Sequence, residues 1–194
     1  KKREFLKKEA LKTKFVSELL PSFNADKLYE AIKDYNDEDI NSLDEVKNFL
    51  CFLNPENFSD IDEYYQALKN TNYDLLLVEV SYKNTFFTKE QIEDLKIKNN
   101  GGKRIVVAYL SIGEAENYRF YWNKKWNKKR PDWIIEESEN WEGNYIVKYW
   151  SPEWKDIIKE YQKKLDEIGV DGYLLDTIDT YQYFEENYKG TVIN

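Results

Sequence analysis

Five carboxylates in this sequence stand where chemistry is usually done. Glu79, Glu114, Glu116, Asp176 and Asp179 each follow an apolar run that reads as a β-strand. In α/β sheets and barrels, ligands are held at the C-terminal ends of the strands. Paired carboxylates at such a rim suit glycosidic cleavage, where one gives a proton and the other acts as base or nucleophile. They also suit a Mg²⁺ or Ca²⁺ site. The plainer reading is that acidic residues are common at these turns because they stabilise helix N-termini. Their number on one expected rim favours a functional site. Ser111, at the end of the third expected strand, belongs to the same rim.

Aromatic residues supply the second feature. They make up 16% of the chain, and all six tryptophans fall between Trp122 and Trp154. Much of that span connects the third and fourth expected strands, and a connection of that length is commonly functional. Aromatic faces suit sugar rings, or a cationic substrate through cation–π contact. Trp133 and Trp154 are expected to be structural. At least one of Trp141 and Trp150 is expected to line a cleft.

The elements that must position these groups follow from periodicity and punctuation. Residues 1–47 read as a charged helical extension, with Phe5, Leu6, Ala10, Leu11, Phe15, Leu19 and Leu20 at helical spacing and a second helix near 25–35. Ser42 and Glu45 make a capping-box pattern before a short helix. From residue 48 to 194 strands and helices alternate. Strands are expected over 49–53, 73–80, 104–110, 145–150 and 170–176, the second being apolar enough to be buried on both faces. Thr88 and Gln91 cap a helix that is expected to end near Gly101-Gly102, and Ser151-Pro152 opens another that stops at Gly169. Repeated βα units imply α/β architecture with a parallel sheet. Five strands fit an open sheet or part of a (β/α) barrel, since a complete barrel takes about 250 residues and this chain has 194.

Composition removes several classes. The sequence has no His, which excludes Ser-His-Asp chemistry and His-ligated zinc. Its single Cys51, between Leu50 and Phe52, reads as a small buried hydrophobe and permits no internal disulfide. A net charge of −8 argues against nucleic acid as a partner, despite the basic runs Lys124-Lys125 and Lys128-Lys129-Arg130. No apolar run is long enough to span a membrane. Metal-assisted phosphoryl chemistry lacks its Gly-rich phosphate loop. No cofactor and no metal are expected, and the oligomeric state is left open.

The block Ala108-Tyr109-Leu110-Ser111-Ile112-Gly113-Glu114-Ala115-Glu116 is followed by Tyr118-Arg119 and Tyr121-Trp122. Further on come Trp141-x-Gly143-Asn144-Tyr145, Tyr149-Trp150-x-Pro152-x-Trp154, and Asp171-Gly172-Tyr173-Leu174-Leu175-Asp176 with Ile178-Asp179. From about residue 48 to 190 this pattern resembles glycoside hydrolases related to the endo-α-1,4-polygalactosaminidases, the family 114 type. The resemblance implies a TIM barrel, a secreted or cell-surface location, and an amino-sugar polysaccharide as substrate. It implies that Asp176 is the catalytic carboxylate, and Glu114 on the same expected rim is read as assisting it or binding substrate. Tyr118, Arg119 and Trp150 would position the sugar. The partner Glu that the resemblance implies lies on a later strand, and the chain stops at Asn194 after its fifth. The expectation is therefore a fragment or a truncated relative with little hydrolysis of its own, and the competing reading is a non-catalytic carbohydrate-binding or surface interaction protein.

Overall fold

The computed structural model describes the backbone of residues 16–19 and residues 36–188 in full. The helices expected elsewhere in 1–35 lie outside the described residues. Over Val16–Leu19 the expectation is corrected. That segment is a strand, β1, paired in parallel with β2 (Asn48–Phe52), so that Val16 stands opposite Asn48 and Leu19 opposite Cys51. There helical spacing gives way to pairing with a strand edge whose N–H and C=O groups need partners. Before β2, the expected short helix is a single 3-10 turn, Leu43–Glu45, with the Glu45 carboxylate accepting from the N–H groups of Asn41 at 2.6 Å and Ser42 at 3.3 Å.

The fold class is α/β, with a partial TIM-barrel-like sheet in the order β1-β2-β3-β6-β10. Here β3 is Leu75–Val78, β6 is Ile105–Ser111 and β10 is Gly172–Asp176. The first four strands pair in parallel with one register: Leu50, Leu76 and Val106 stand side by side, as do Cys51, Leu77 and Val107. Side chains alternate across a sheet. Leu50, Phe52, Leu76, Val78, Val106 and Ala108 occupy one face and are fully buried. On the other face Phe49, Cys51, Leu77, Ile105 and Val107 are only half-buried. The second expected strand, 73–80, is buried on both faces as expected, with Leu77 its one half-buried residue, whereas the flanking strands leave the second face half-buried at Phe49, Cys51, Ile105 and Val107.

Chain contacts group the residues into two compact units. The first runs to Tyr109 and takes in 165–174; the second comprises 110–164 and the residues from Leu175 on. In the first unit, helix α1 (Ile61–Lys69) starts because the Asp60 carboxylate accepts from Glu63 N–H at 2.8 Å, and it buries Tyr64 and Leu68 one turn apart. Helix α2 (Lys89–Leu95) has the reciprocal cap read from sequence. Thr88 Oγ1 accepts from Gln91 N–H at 3.2 Å and Gln91 Oε1 from Thr88 N–H at 2.9 Å. It stops at Leu95, short of the glycines, because Arg104 sits at its end. That buried guanidinium donates to the carbonyls of Leu95, Leu68 and Thr71 and to Thr71 Oγ1, closing the last turns of α1 and α2 together. A two-stranded hairpin, β4 (Ser81–Tyr82) with β5 (Thr85–Phe86), turns through Lys83 and Asn84, both at positive φ.

The second unit departs from the expected topology. A fourth parallel strand is expected over 145–150. Instead β9 (Asn144–Val147) is the centre of an antiparallel sheet, flanked by β7 (Glu114–Glu116) and β8 (Ile134–Glu137). The long connection carries two strands of its own, and these claim the hydrogen bonds of β9. Helix α3 (Pro152–Ile168) follows, presenting Trp154, Tyr161 and Leu165 on one face and ending at Gly169 with φ +83°. Helix α4 (Thr180–Asn187) comes after β10. Trp133 and Trp154 are buried as expected, in one core with Ala115, Ile134, Tyr145 and Val147.

Candidate active site at the Asp176 turn

The ends of β6 and β10 are fastened to each other in the second unit. Ile112 N–H donates to Asp176 C=O at 3.1 Å, and Gly113 N–H donates to Thr177 Oγ1 at 2.8 Å. Ser111 Oγ lies 3.0 Å from Thr177 Oγ1 and donates to Glu114 C=O at 2.9 Å. Thr177, the residue after Asp176, holds φ at +60°. A β-branched residue in the left-handed region is strained, and such strain persists where surrounding bonds over-determine it. The bonds from Gly113 and Ser111 do so here. Gly113 itself has no room for a side chain: a Cβ would lie 2.2 Å from Thr177 O and 2.3 Å from Thr180 Oγ1. Trp154 Nε1 donates to Ile112 C=O at 2.8 Å, tying the turn to the aromatic core. Ser111, Glu114 and Asp176 are thus brought together.

Glu114 is half-buried and accepts from Asn144 Nδ2 at 3.2 Å. Burial pushes its carboxyl above the usual range, and the charges of Asp176 and Glu116 add to the push, while hydrogen bonds from Asn144 and Ser138 oppose it. A carboxyl that holds its proton longer than usual beside a second carboxylate is the arrangement proton donation requires.

The other expected site residues divide. Glu116 is 1% exposed and fully engaged, accepting from Arg119 Nε at 2.6 Å, Arg119 Nη2 at 3.3 Å and Tyr118 OH at 2.5 Å. Glu116 and Arg119, both expected to bind substrate, are placed against each other as a buried ion pair. Tyr118 keeps its ring outside, 54% exposed. Glu79 belongs to the first unit, where it is buried and accepts from Ser81 N–H at 2.9 Å and Ser81 Oγ at 2.7 Å. Of the five strand-end carboxylates, Glu79 falls in the first unit and Glu114, Glu116, Asp176 and Asp179 in the second. Asp179 is exposed at the N-terminus of α4 and makes no side-chain cap. Trp150 packs edge-on against Phe184 at 4.7 Å, so it helps seat α4, whereas Trp141 is 56% exposed. The residues that sequence reasoning passed over are Thr177, Gly113, Asn144 and Ser138. A glycine beside a strand-end Glu and a Thr directly after a strand-end Asp were the available signals.

Among the described residues no three of His, Cys, Asp and Glu are grouped to hold a metal ion, and no helix is long and apolar enough to cross a membrane. A cleft of about 610 Å³ lies in the first unit, lined by Ile40, Leu43, Lys96, Lys103 and Tyr173 among others, and none of the expected site residues lines it.

With this geometry in hand, comparison with known proteins is informative. A model of glycoside-hydrolase family GH114 matches residues 35–193. An uncharacterized protein of Methanocaldococcus jannaschii is 41% identical over 157 residues, covering 78% of this chain and 43% of that protein. An uncharacterized protein of Thermotoga maritima is 35% identical over 119 residues, covering 61% of this chain and 36% of that protein. The chain thus spans less than half the length of these relatives. Among solved structures, the glycoside hydrolase domain of PelA from Pseudomonas aeruginosa aligns with a TM-score of 0.43 at 19% identity, covering 57% of this chain and 39% of that one. Aspergillus fumigatus Ega3, crystallised with galactosamine, aligns with a TM-score of 0.45 at 19% identity, covering 69% of this chain and 43% of that one.

Proposed function

The chain belongs to glycoside-hydrolase family GH114, and from that premise we propose that it carries the Asp176 half of a hydrolytic site for an amino-sugar polysaccharide of the polygalactosamine type, working outside the cell. One observation supports this above the others. Asp176 stands at a strained turn locked by Gly113, Ser111 and Thr177, and its charge raises the proton affinity of Glu114.

In glycosidic cleavage a protonated carboxyl delivers its proton to the leaving oxygen while a carboxylate attacks C1 or activates water. Asp176 is assigned the ionised role. Glu114, holding its proton further up in pH, is assigned the part of assisting donor, with Asn144 Nδ2 fixing its orientation. The exposed rings of Trp141 and Tyr118 offer faces for sugar stacking. The segment Glu136-Glu137-Ser138-Glu139-Asn140-Trp141-Glu142 carries four carboxylates and no base, which suits a polymer bearing ammonium groups.

The test is release of reducing ends from de-acetylated galactosaminogalactan by the intact protein that carries this chain, beside its Asp176→Asn variant. Loss of a positioned acid or base lowers turnover by roughly 10²–10⁴-fold, and a fall of that size with unchanged melting is expected. Turnover retained by Asp176→Asn removes the assignment. The exposed Trp141 and Tyr118 also suit a non-catalytic sugar-binding domain. Equal binding by both proteins with no release from either supports that second reading.

A further inference from the structure

The second unit holds a feature that the hydrolase reading leaves unused. Between Asn117 and Pro131 there is no acidic residue, and Lys124, Lys125, Lys128, Lys129 and Arg130 put five cations into seven positions. All five are exposed. Among the described residues no carboxylate lies within ion-pair distance of the four lysines, although Asp and Glu outnumber Lys and Arg by 37 to 29 in the chain.

These charges stand on an ordered platform. Residues Lys124–Asn127 form a 3-10 turn capped by Asn123, whose Oδ1 accepts from Lys125 N–H at 3.0 Å. The N–H groups of Lys128 and Lys129 close on Lys125 C=O at 3.1 and 3.0 Å. Trp126, in the middle of the run, turns inward between Trp122 at 5.3 Å and Trp133 at 5.2 Å, and Trp122 Nε1 donates to Asn127 Oδ1 at 2.8 Å. The Arg130 guanidinium lies 4.6 Å from the centre of the Tyr145 ring. Holding like charges on one turn costs repulsion in the free protein, and a polyanion relieves it.

We propose that the platform Lys124–Arg130 is a docking surface for an acidic polysaccharide, a second polymer distinct from the one cleaved. A bilayer is disfavoured because Trp126, the one tryptophan of the segment, packs against the core, leaving no apolar side chain to enter the acyl boundary. Duplex nucleic acid is disfavoured because its charge density meets a protein of net charge −8 across a platform one turn wide. A flexible glycan of moderate charge density can follow a convex turn and lie against five cations.

The inference stands apart from the hydrolase reading, and its experiment needs no turnover. Polygalacturonate, neutral dextran, duplex DNA and vesicles containing phosphatidylserine are titrated against the protein and against a variant carrying Lys124→Gln, Lys125→Gln, Lys128→Gln and Lys129→Gln. Four exposed substitutions leave the fold intact, as unchanged melting verifies. Polygalacturonate is expected to bind, to weaken roughly tenfold or more between ~50 and ~200 mM salt by counterion release, and to lose most of its affinity in the variant. Dextran is expected not to bind. Equal polygalacturonate binding by the variant, or tighter binding of DNA or vesicles than of polygalacturonate, overturns the proposal.

Discussion

Two carboxylates, one in each unit, are held in opposite ways. In the first, Asp74 is a closed account: its carboxylate accepts from Asn36 Nδ2 at 3.0 Å, Lys47 N–H at 2.9 Å and Lys98 Nζ at 3.0 Å, and neither Lys98 nor Asp74 has an exposed side chain. Lys98 Nζ also donates to the carbonyls of Asn36 and Glu38 at 2.6 and 2.8 Å. Every partner there is protein. In the second unit, Glu114 is half-buried, takes hydrogen bonds from Asn144 and Ser138, and has two neighbouring carboxylates that raise its proton affinity. The contrast teaches how to separate structural from chemical carboxylates. A saturated one fixes the backbone around it, as Asp74 and Glu116 do. A half-open one beside a strained turn keeps a face that a ligand can take up.

Three experiments would break or sharpen this contrast. The largest effect is expected from Lys98→Met, which leaves Asp74 charged and buried without its counter-ion. Removal of one partner from a buried pair costs about 3–5 kcal/mol, read as a shift in urea midpoint. A loss under about 1 kcal/mol would place the pair in the surface class and dissolve the distinction. Next comes Gly113→Ala. Its Cβ would overlap Thr177 O and Thr180 Oγ1, so the turn must move, at a cost of about 1–3 kcal/mol. Melting should fall accordingly, and Asp176 should lose its place with it. An unchanged melting temperature would show the turn to be soft rather than locked.

The smallest effect concerns protons. The folded-state pKa of Glu114 is raised above 4.5, so the native protein binds more protons than the unfolded chain in the window just above that value. Stability contributed by this group is then greatest at low pH and falls as pH rises from 4.5 through the raised value. Glu114→Gln should flatten that slope, and ¹³C titration of the side-chain carboxyl should give a midpoint above the ordinary one. In Asp176→Asn the Glu114 midpoint should move down, since one of the raising charges is gone. A midpoint insensitive to Asp176 would uncouple the two groups.

How far the sequence disclosed this molecule depended on the range of the interactions involved. The helix cap at Thr88, the stop at Gly169 and the parallel strands 75–78, 105–111 and 172–176 were legible because their determinants are local: a side chain three residues away, a glycine, an apolar run. The β9 segment was not, because strand direction is set by which partner claims the backbone, and β7 and β8 are too short to announce themselves. Among site residues, Asp176 and Glu114 could be picked as strand-end carboxylates. Glu116 looked the same in sequence. Only the placement of Arg119 one turn on, with its guanidinium turned back, shows that its charge is already matched.

The bond between Val106 and Asp171 has a consequence for how the chain reaches its native state. Asp171 N–H donates to Val106 C=O at 2.8 Å and its carboxylate accepts from Val106 N–H at 2.9 Å, across 65 residues of sequence. Closing an unstructured loop of that length costs roughly 4 kcal/mol by the logarithmic law. Residues 110–164 fall inside that loop and form their own antiparallel sheet and aromatic core. If they order first, the ends of the loop are brought together by a folded body instead of a random coil. The β6–β10 pairing would then be the late event of folding, and core substitutions in the inserted unit, such as Trp154→Ala, would slow refolding of the parallel sheet.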